Sequence, residues 1–73
     1  AMAAADAMSR LVDVHLAGLR PGALATLRGM LDGLDNAAIA EREGISASAN
    51  SQRVRNNGLR PLTDAIHALG QLP

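Results

Sequence analysis

The chain has 73 residues, and because it contains no Phe, Tyr, Trp or Cys, only Leu, Ile, Val and Met can fill a core. This length predicts a single domain over 1–73, and the composition excludes disulfide, thiolate-zinc and iron–sulfur frameworks, so we expect no metal and no cofactor. The formal net charge is zero, so the chain lacks the basic excess that is typical of nucleic-acid-binding proteins.

The first segment predicts a helix over Ala3–Ala17 that ends near Gly18. Its apolar residues recur at helical spacing: Met8, Leu11, Val12, Leu16 and Leu19. His15 lies within this stripe, and we expect it to be a partly buried packing residue. We interpret Ala1-Met2 as a cloning remnant. Asp6 and Arg10 interrupt any signal-peptide core, and no apolar run approaches the roughly 20 residues of a membrane span, so we expect a soluble, cytoplasmic chain without membrane contact.

Proline and glycine mark the ends of two further helices. One is predicted over Pro21–Asp32, with Gly33 as its stop. The last begins at Pro61, carries an apolar stripe, and closes at Gly70. The stripe comprises Leu62, Ala65, Ile66 and Leu69.

The segment from Asn36 to Asn57 predicts two short helices joined by a tight turn. Asn36 is the predicted cap of the first, Gly44 its stop with positive φ, and Ser46 the cap of the second. Ala40 is small where a helix crosses it, and the isoleucines at 39 and 45 fill the wedge between the helices. This layout is that of a helix-turn-helix at about 36–57. The fold prediction is therefore all-α, a compact bundle of about five short helices.

The span Leu19–Ser46 resembles the LuxR/GerE-type DNA-binding domain of bacterial transcription regulators. Three segments carry the resemblance: Gly-Leu-Asp-Asn at 33–36, Ile-Ala-Glu-Arg at 39–42 and Gly-Ile-Ser at 44–46. Residues 45–55 are also similar to the turn and recognition helix of winged or LysR-type regulators, and sigma-factor region 4 has a similar arrangement. The resemblance implies a recognition helix in the major groove and a following helix that makes the dimer contact. That contact would use Leu62, Ile66 and Leu69, and the alternative is that these three residues belong to the core.

Asn50 departs from these families, which place a buried Val or Ile one turn before Val54. An unpaired buried amide would cost roughly 1–3 kcal/mol. The sequence therefore leaves two alternatives, an internal partner for Asn50 or a helix rotated so that this side chain is exposed.

The charges are unevenly distributed, because residues 44–61 contain three arginines and no acid. The side of the second motif helix opposite Val54 carries the predicted base-reading residues Ser48, Ser51, Gln52, Arg55 and Asn56. Gln pairs with adenine and Arg with guanine, so Gln52 and Arg55 are the principal specificity candidates. The predicted DNA-backbone contacts are Asn36, Ser46, Arg53 and Arg60. Surface ion pairs are the alternative role for the last two.

The sequence thus predicts binding to double-stranded DNA by a regulator domain associated with the nucleoid. The lack of aromatic residues disfavours stacking on single strands. Few cations imply weak binding by one copy, so we expect a homodimer or a place in a larger regulator. The alternative is a helical adaptor that contacts RNA polymerase, a sigma factor or another protein through an exposed leucine stripe of the first helix, the helix that ends in Leu16 and Leu19. The other role left open for that helix is only to support the other helices. Without a sheltered carboxylate pair or a phosphate loop with lysine, we expect no enzyme.

Overall fold

The computed structural model describes the backbone of residues 2–71 and the side chains of residues 3–71. Ala1, part of the segment interpreted as a cloning remnant, lies outside the described residues. Five helices follow one another along the chain: α1 (Met2–Ala17), α2 (Pro21–Leu31), α3 (Asn36–Glu43), α4 (Ala47–Asn56) and α5 (Leu59–Gly70). Residues 2–71 contain no strand. The predicted all-α fold of five short helices is therefore confirmed.

The start of α5 differs from the prediction. The helix begins at Leu59, two residues before Pro61, and follows Gly58, whose φ is 59°. Pro61 is consequently the third helical residue. The first N–H groups of a helix have no intrahelical acceptor, so proline is tolerated in this turn without losing a hydrogen bond.

The caps of α3 and α4 explain where these two helices start. Asp35, and not Asn36, caps α3, because its Oδ1 accepts a hydrogen bond from the Ala38 N–H at 2.8 Å. Asn36 is instead the first helical residue. The predicted cap of α4 is confirmed, since Ser46 Oγ accepts from the Ala49 N–H at 3.0 Å. Gly44 ends α3 with φ 68°, as predicted.

The aliphatic core is formed by Val12, Leu27, Leu59 and Leu62. Partly buried side chains surround it: Leu16, Leu19, Met30, Val54, Ala65, Ile66 and Leu69. Leu62 is only 3% exposed. Of the two interpretations of the Leu62, Ile66 and Leu69 stripe, the core is the one observed: the Leu62 side chain fills the core, and Ile66 and Leu69 pack against it.

Helix α2 lies against both α3 and α4, and Gly29 of α2 lies close to Ile39 of α3. A Cβ atom at position 29 would lie 2.7 Å from Cγ1 of Ile39, inside van der Waals contact. Ile39 and Ala40 are 2% and 3% exposed. The missing side chain at Gly29 thus lets Ile39 fill the space between the two helices.

Helix α1 packs on α5. His15 is partly buried, as predicted, and its Nε2 donates a hydrogen bond to the Asn57 carbonyl oxygen at 2.7 Å. Leu11, which belongs to the apolar stripe of the first helix, is 71% exposed, and Val14 is 72% exposed. None of the described helices is long and apolar enough to span a membrane.

Candidate nucleic-acid interface

Helices α3 and α4 form a two-helix unit whose connection consists of Gly44, Ile45 and Ser46. The two helices pack against each other, α2 lies against both, and two residues separate the end of α4 from the start of α5. The exposed side of α4 is the surface that the sequence analysis singled out. Its orientation depends on how the inward side of α4 is fixed.

Asn50 fixes α4 from inside. Its side chain is fully buried, and its Oδ1 accepts a hydrogen bond from Thr26 Oγ1 at 2.7 Å. Its Nδ2 donates to Asn36 Oδ1 at 2.8 Å, and Asn36 Nδ2 donates in turn to the Ala47 carbonyl oxygen at 2.9 Å. Of the two alternatives left open by the sequence, the internal partner is therefore the one observed. This chain of hydrogen bonds joins α2, α3 and α4.

Arg53 fixes α4 at a second point. Its Nη1 lies 3.0 Å from Oε1 of Glu43, and it also donates to the Gly22 carbonyl oxygen at 2.9 Å and to Thr26 Oγ1 at 3.2 Å. The Arg53 side chain is only 24% exposed. Of the two roles predicted for Arg53, a contact to the DNA backbone or an ion pair, the structure shows an ion pair, and this pair is partly buried and bridges the helices.

The predicted base-reading residues share the outward side of α4. Four of them are exposed and one is half-buried. The exposed four are Ser48, Gln52, Arg55 and Asn56, and the half-buried one is Ser51. Because Asn50 and Arg53 hold the opposite side of the helix, these five residues present a polar surface that carries no acidic side chain.

Arg60, at the start of α5, extends this surface. It lines a shallow cleft with Arg55 on α4, and Ser51, Val54 and Asn36 complete the lining. Arg55 and Arg60 form no ion pair within residues 3–71. The ion pairs of this part of the chain join Arg42 to Asp32 and Arg53 to Glu43. The cleft thus combines two guanidinium groups with a serine side chain.

The remaining predicted backbone contacts are placed as follows. Ser46 is exposed, but its hydroxyl oxygen serves as the cap of α4. Asn36 is half-buried, and both polar atoms of its side chain are engaged in the network around Asn50. Each of these atoms keeps one further hydrogen-bonding position, so the network reduces what Asn36 can offer to an external ligand.

Two residues of this arrangement, Thr26 and Glu43, were not predicted from the sequence. Thr26 is fully buried. In the sequence it stands among the apolar residues of α2, and its single hydroxyl there is the signal that could have indicated an internal polar partner. Glu43 holds the Arg53 guanidinium from the end of α3. Within residues 3–71, no group of three or more His, Asp and Glu side chains is placed to hold a metal ion.

Comparison with protein-family models, with curated protein sequences and with solved structures finds no match to this chain.

Proposed function

We propose that this chain is a binding module, not an enzyme, that recognises double-stranded DNA through α3 and α4 acting as a helix-turn-helix, as in the DNA-binding domain of a bacterial transcription regulator. The observation that carries the proposal is the acid-free outward side of α4, exposed while the inward side is held by Asn50 and Arg53. Such a module would act in the cytoplasm on the nucleoid.

The dimensions of α4 suit a major groove. Its 10 residues correspond to a rod about 15 Å long at 1.5 Å per residue. A major groove about 12 Å wide admits one α-helix and exposes the base edges. With α4 in the groove, its polar outward side would face the bases, while α2 would stay behind it.

Within this geometry, Gln52 and Arg55 are the base-reading residues, because their planar amide and guanidinium groups form bidentate pairs with adenine and guanine. Each such contact contributes about 1–3 kcal/mol of discrimination. Ser48 and Asn56 supply further hydrogen bonds at the two ends of the helix. Arg60 contacts the phosphate backbone beside the groove, since it lies in the cleft next to Arg55.

Arg55 and Arg60 are the cations of this surface that form no ion pair within residues 3–71, so the affinity of one copy should depend only weakly on the salt concentration. If one copy neutralises about two phosphates, the logarithm of the affinity falls with a slope of about −1.8 against the logarithm of the salt concentration. Between 50 and 200 mM salt this corresponds to a loss of roughly 12-fold. Two copies bound together would lose roughly 150-fold over the same range.

Fluorescence anisotropy with labelled duplexes of random and selected sequence tests the proposal. Arg60→Ala should weaken binding to all duplexes and reduce the salt slope by about 0.9. Gln52→Ala should instead relax the preference among selected sequences. Arg28, exposed on α2, provides the matched control, and Arg28→Ala should behave like the unmodified chain. Absence of binding at 50 mM salt, or equal effects of the Arg28 and Arg60 variants, would refute the proposal.

The adaptor alternative would not use Leu16 and Leu19, because these two side chains of the first helix and its end pack against the core. An apolar surface does exist on α1, at Leu11 and Val14, on another side of the helix.

A further inference from the structure

Helices α2, α3, α4 and α5 together line a cavity that opens to solvent, which we call the inter-helix cavity. Its volume is about 360 Å³, within the range of about 300–1,000 Å³ that small-molecule pockets occupy. At about 30 Å³ per water-sized group, it has room for a molecule of about 12 non-hydrogen atoms. Four aliphatic side chains form its apolar wall: Met30, Leu34, Ile39 and Val54.

The buried polar residues that line this cavity already have partners within the fold. Asn50 binds Thr26 and Asn36 through its two side-chain polar atoms. Thr63 Oγ1 donates to the Leu59 carbonyl oxygen at 2.7 Å. Among the described residues, no buried side-chain nitrogen or oxygen lacks a hydrogen-bond partner. The inner lining therefore makes no polar demand on a ligand beyond apolar contact.

Two exposed side chains of opposite charge complete the lining, Asp35 before α3 and Arg60 in the first turn of α5. They do not pair with each other, and neither takes part in any other ion pair of residues 3–71. Asp35 Oδ1 accepts from the Ala38 N–H, which leaves its second carboxylate oxygen for an external donor. The guanidinium of Arg60 carries five N–H donors in a fixed plane. The cavity therefore offers a ligand one anion, one cation and an aliphatic wall.

We propose that the inter-helix cavity binds a free aliphatic α-amino acid, such as leucine. The ammonium group of the ligand binds Asp35, its carboxylate binds the guanidinium of Arg60, and its branched side chain packs against the aliphatic wall. A hydrocarbon would leave both charges unmatched. A simple carboxylate would satisfy Arg60 but would bring a second negative charge near Asp35. A zwitterion with an apolar side chain matches all three parts of the lining.

The inter-helix cavity adjoins the cleft beside Arg55, because Asn36, Val54 and Arg60 line both. An amino acid that holds Arg60 in the cavity withdraws this guanidinium from a DNA phosphate, a consequence that rests on the proposed function. Saturating leucine should therefore weaken DNA binding and reduce the salt slope by about 0.9, the value for one phosphate contact. By linkage, DNA should weaken leucine binding by the same factor.

Two-dimensional NMR of the isotope-labelled chain without DNA tests the cavity directly. Titration with leucine should shift the amide signals of lining residues and saturate. Alanine should bind at least about tenfold more weakly, because each buried methylene contributes about fourfold in affinity. Isocaproate, which is leucine without its ammonium group, and isoamylamine, which is leucine without its carboxylate, should each bind about 2–5-fold more weakly than leucine, the range for an exposed ion pair.

Two charge-removing variants separate a ligand contact from a structural effect. Asp35→Asn keeps a residue that caps helices well, and it should weaken leucine binding while strengthening isocaproate binding. Arg60→Gln should weaken leucine and isocaproate but not isoamylamine. Arg28 is exposed on α2 and does not line the cavity, so Arg28→Gln is the matched control and should bind leucine like the unmodified chain.

Three results would overturn the amino-acid site: no saturable shift with leucine, isocaproate binding as tightly as leucine, or equal leucine binding by the Arg28 and Arg60 variants. If leucine binds as expected but no duplex is bound, the DNA proposal fails and the cavity stands. If a duplex is bound and leucine causes no shift, the cavity fails and the DNA proposal stands. If both bind but leucine leaves DNA affinity unchanged, the link through Arg60 is refuted.

Discussion

Replacing Asn50 by alanine should strongly destabilise the fold, because it deprives two polar side chains of their partner. Thr26 Oγ1 is fully buried and donates to Asn50, and its loss of an acceptor corresponds to about 2 kcal/mol. Asn36 Oδ1 is partly accessible to water, so its loss of a donor corresponds to about 1 kcal/mol. We therefore expect a decrease of about 3 kcal/mol in the free energy of unfolding.

This decrease is a large fraction of the stability available. At about 0.05–0.15 kcal/mol per residue, a chain of this length has a total of about 4–11 kcal/mol. A change of 1 kcal/mol moves the midpoint of a domain of this size by about 4–8 °C, so Tm should fall by about 12–24 °C. Because the chain has no Trp or Tyr, circular dichroism at 222 nm is the suitable readout of thermal and urea unfolding.

Ser48→Ala is the matched control, since Ser48 lies on the same helix but is exposed, and it should change stability by less than about 0.5 kcal/mol. Combining Asn50→Ala with Thr26→Ala should cost less than the sum of the two single changes, with a coupling of about 0.5–3 kcal/mol. A loss below about 1 kcal/mol for Asn50→Ala, or strict additivity of the pair, would refute the view that this hydrogen bond holds α4.

Three further substitutions probe the packing around the two-helix unit. Gly29→Ala should lower the free energy of unfolding by about 1–3 kcal/mol, because the new Cβ would lie 2.7 Å from Ile39 Cγ1; an unchanged or raised thermal midpoint would contradict this. Ser46→Ala should cost about 1 kcal/mol in urea unfolding through loss of the α4 cap, and a cost no greater than that of Ser48→Ala would count against it. Arg53→Met should cost about 2 kcal/mol by removing the donor to Glu43 and Gly22, whereas the exposed Arg55→Met should be nearly neutral; equal effects would show that the Arg53 contacts do not stabilise the fold.

The helix boundaries were predictable where a single residue type dictates the local backbone. Gly44 takes a positive φ, and Ser46 caps α4 as its hydroxyl predicts. The prediction was wrong at Pro61, because proline is compatible with each position of the first helical turn and therefore does not specify which residue comes first. The sequence does not separate Asp35 from its neighbour Asn36 as the cap of α3, since both residue types cap helices well.

The placement of α4 was less predictable, because it depends on partners distant in sequence. Asn50 binds Thr26, which lies 24 residues earlier, and no local pattern identifies that pairing. Helical spacing likewise gave the apolar stripe of the first helix without showing which part of it meets a neighbour. Leu11 is exposed, whereas Leu16 packs against the core. The surface available on α1 thus became visible only with α5 in place.

The double attachment of α4, through Asn50 and Arg53, bears on the entropy of any binding event at its outward side. Binding by a mobile helix carries an ordering cost, which reduces the free energy left for affinity. Here the backbone of α4 is already tied to α2 and α3 by hydrogen bonds from both side chains. A ligand must then immobilise mainly the side chains of Gln52 and Arg55. The backbone shape of this surface is already established before the ligand binds.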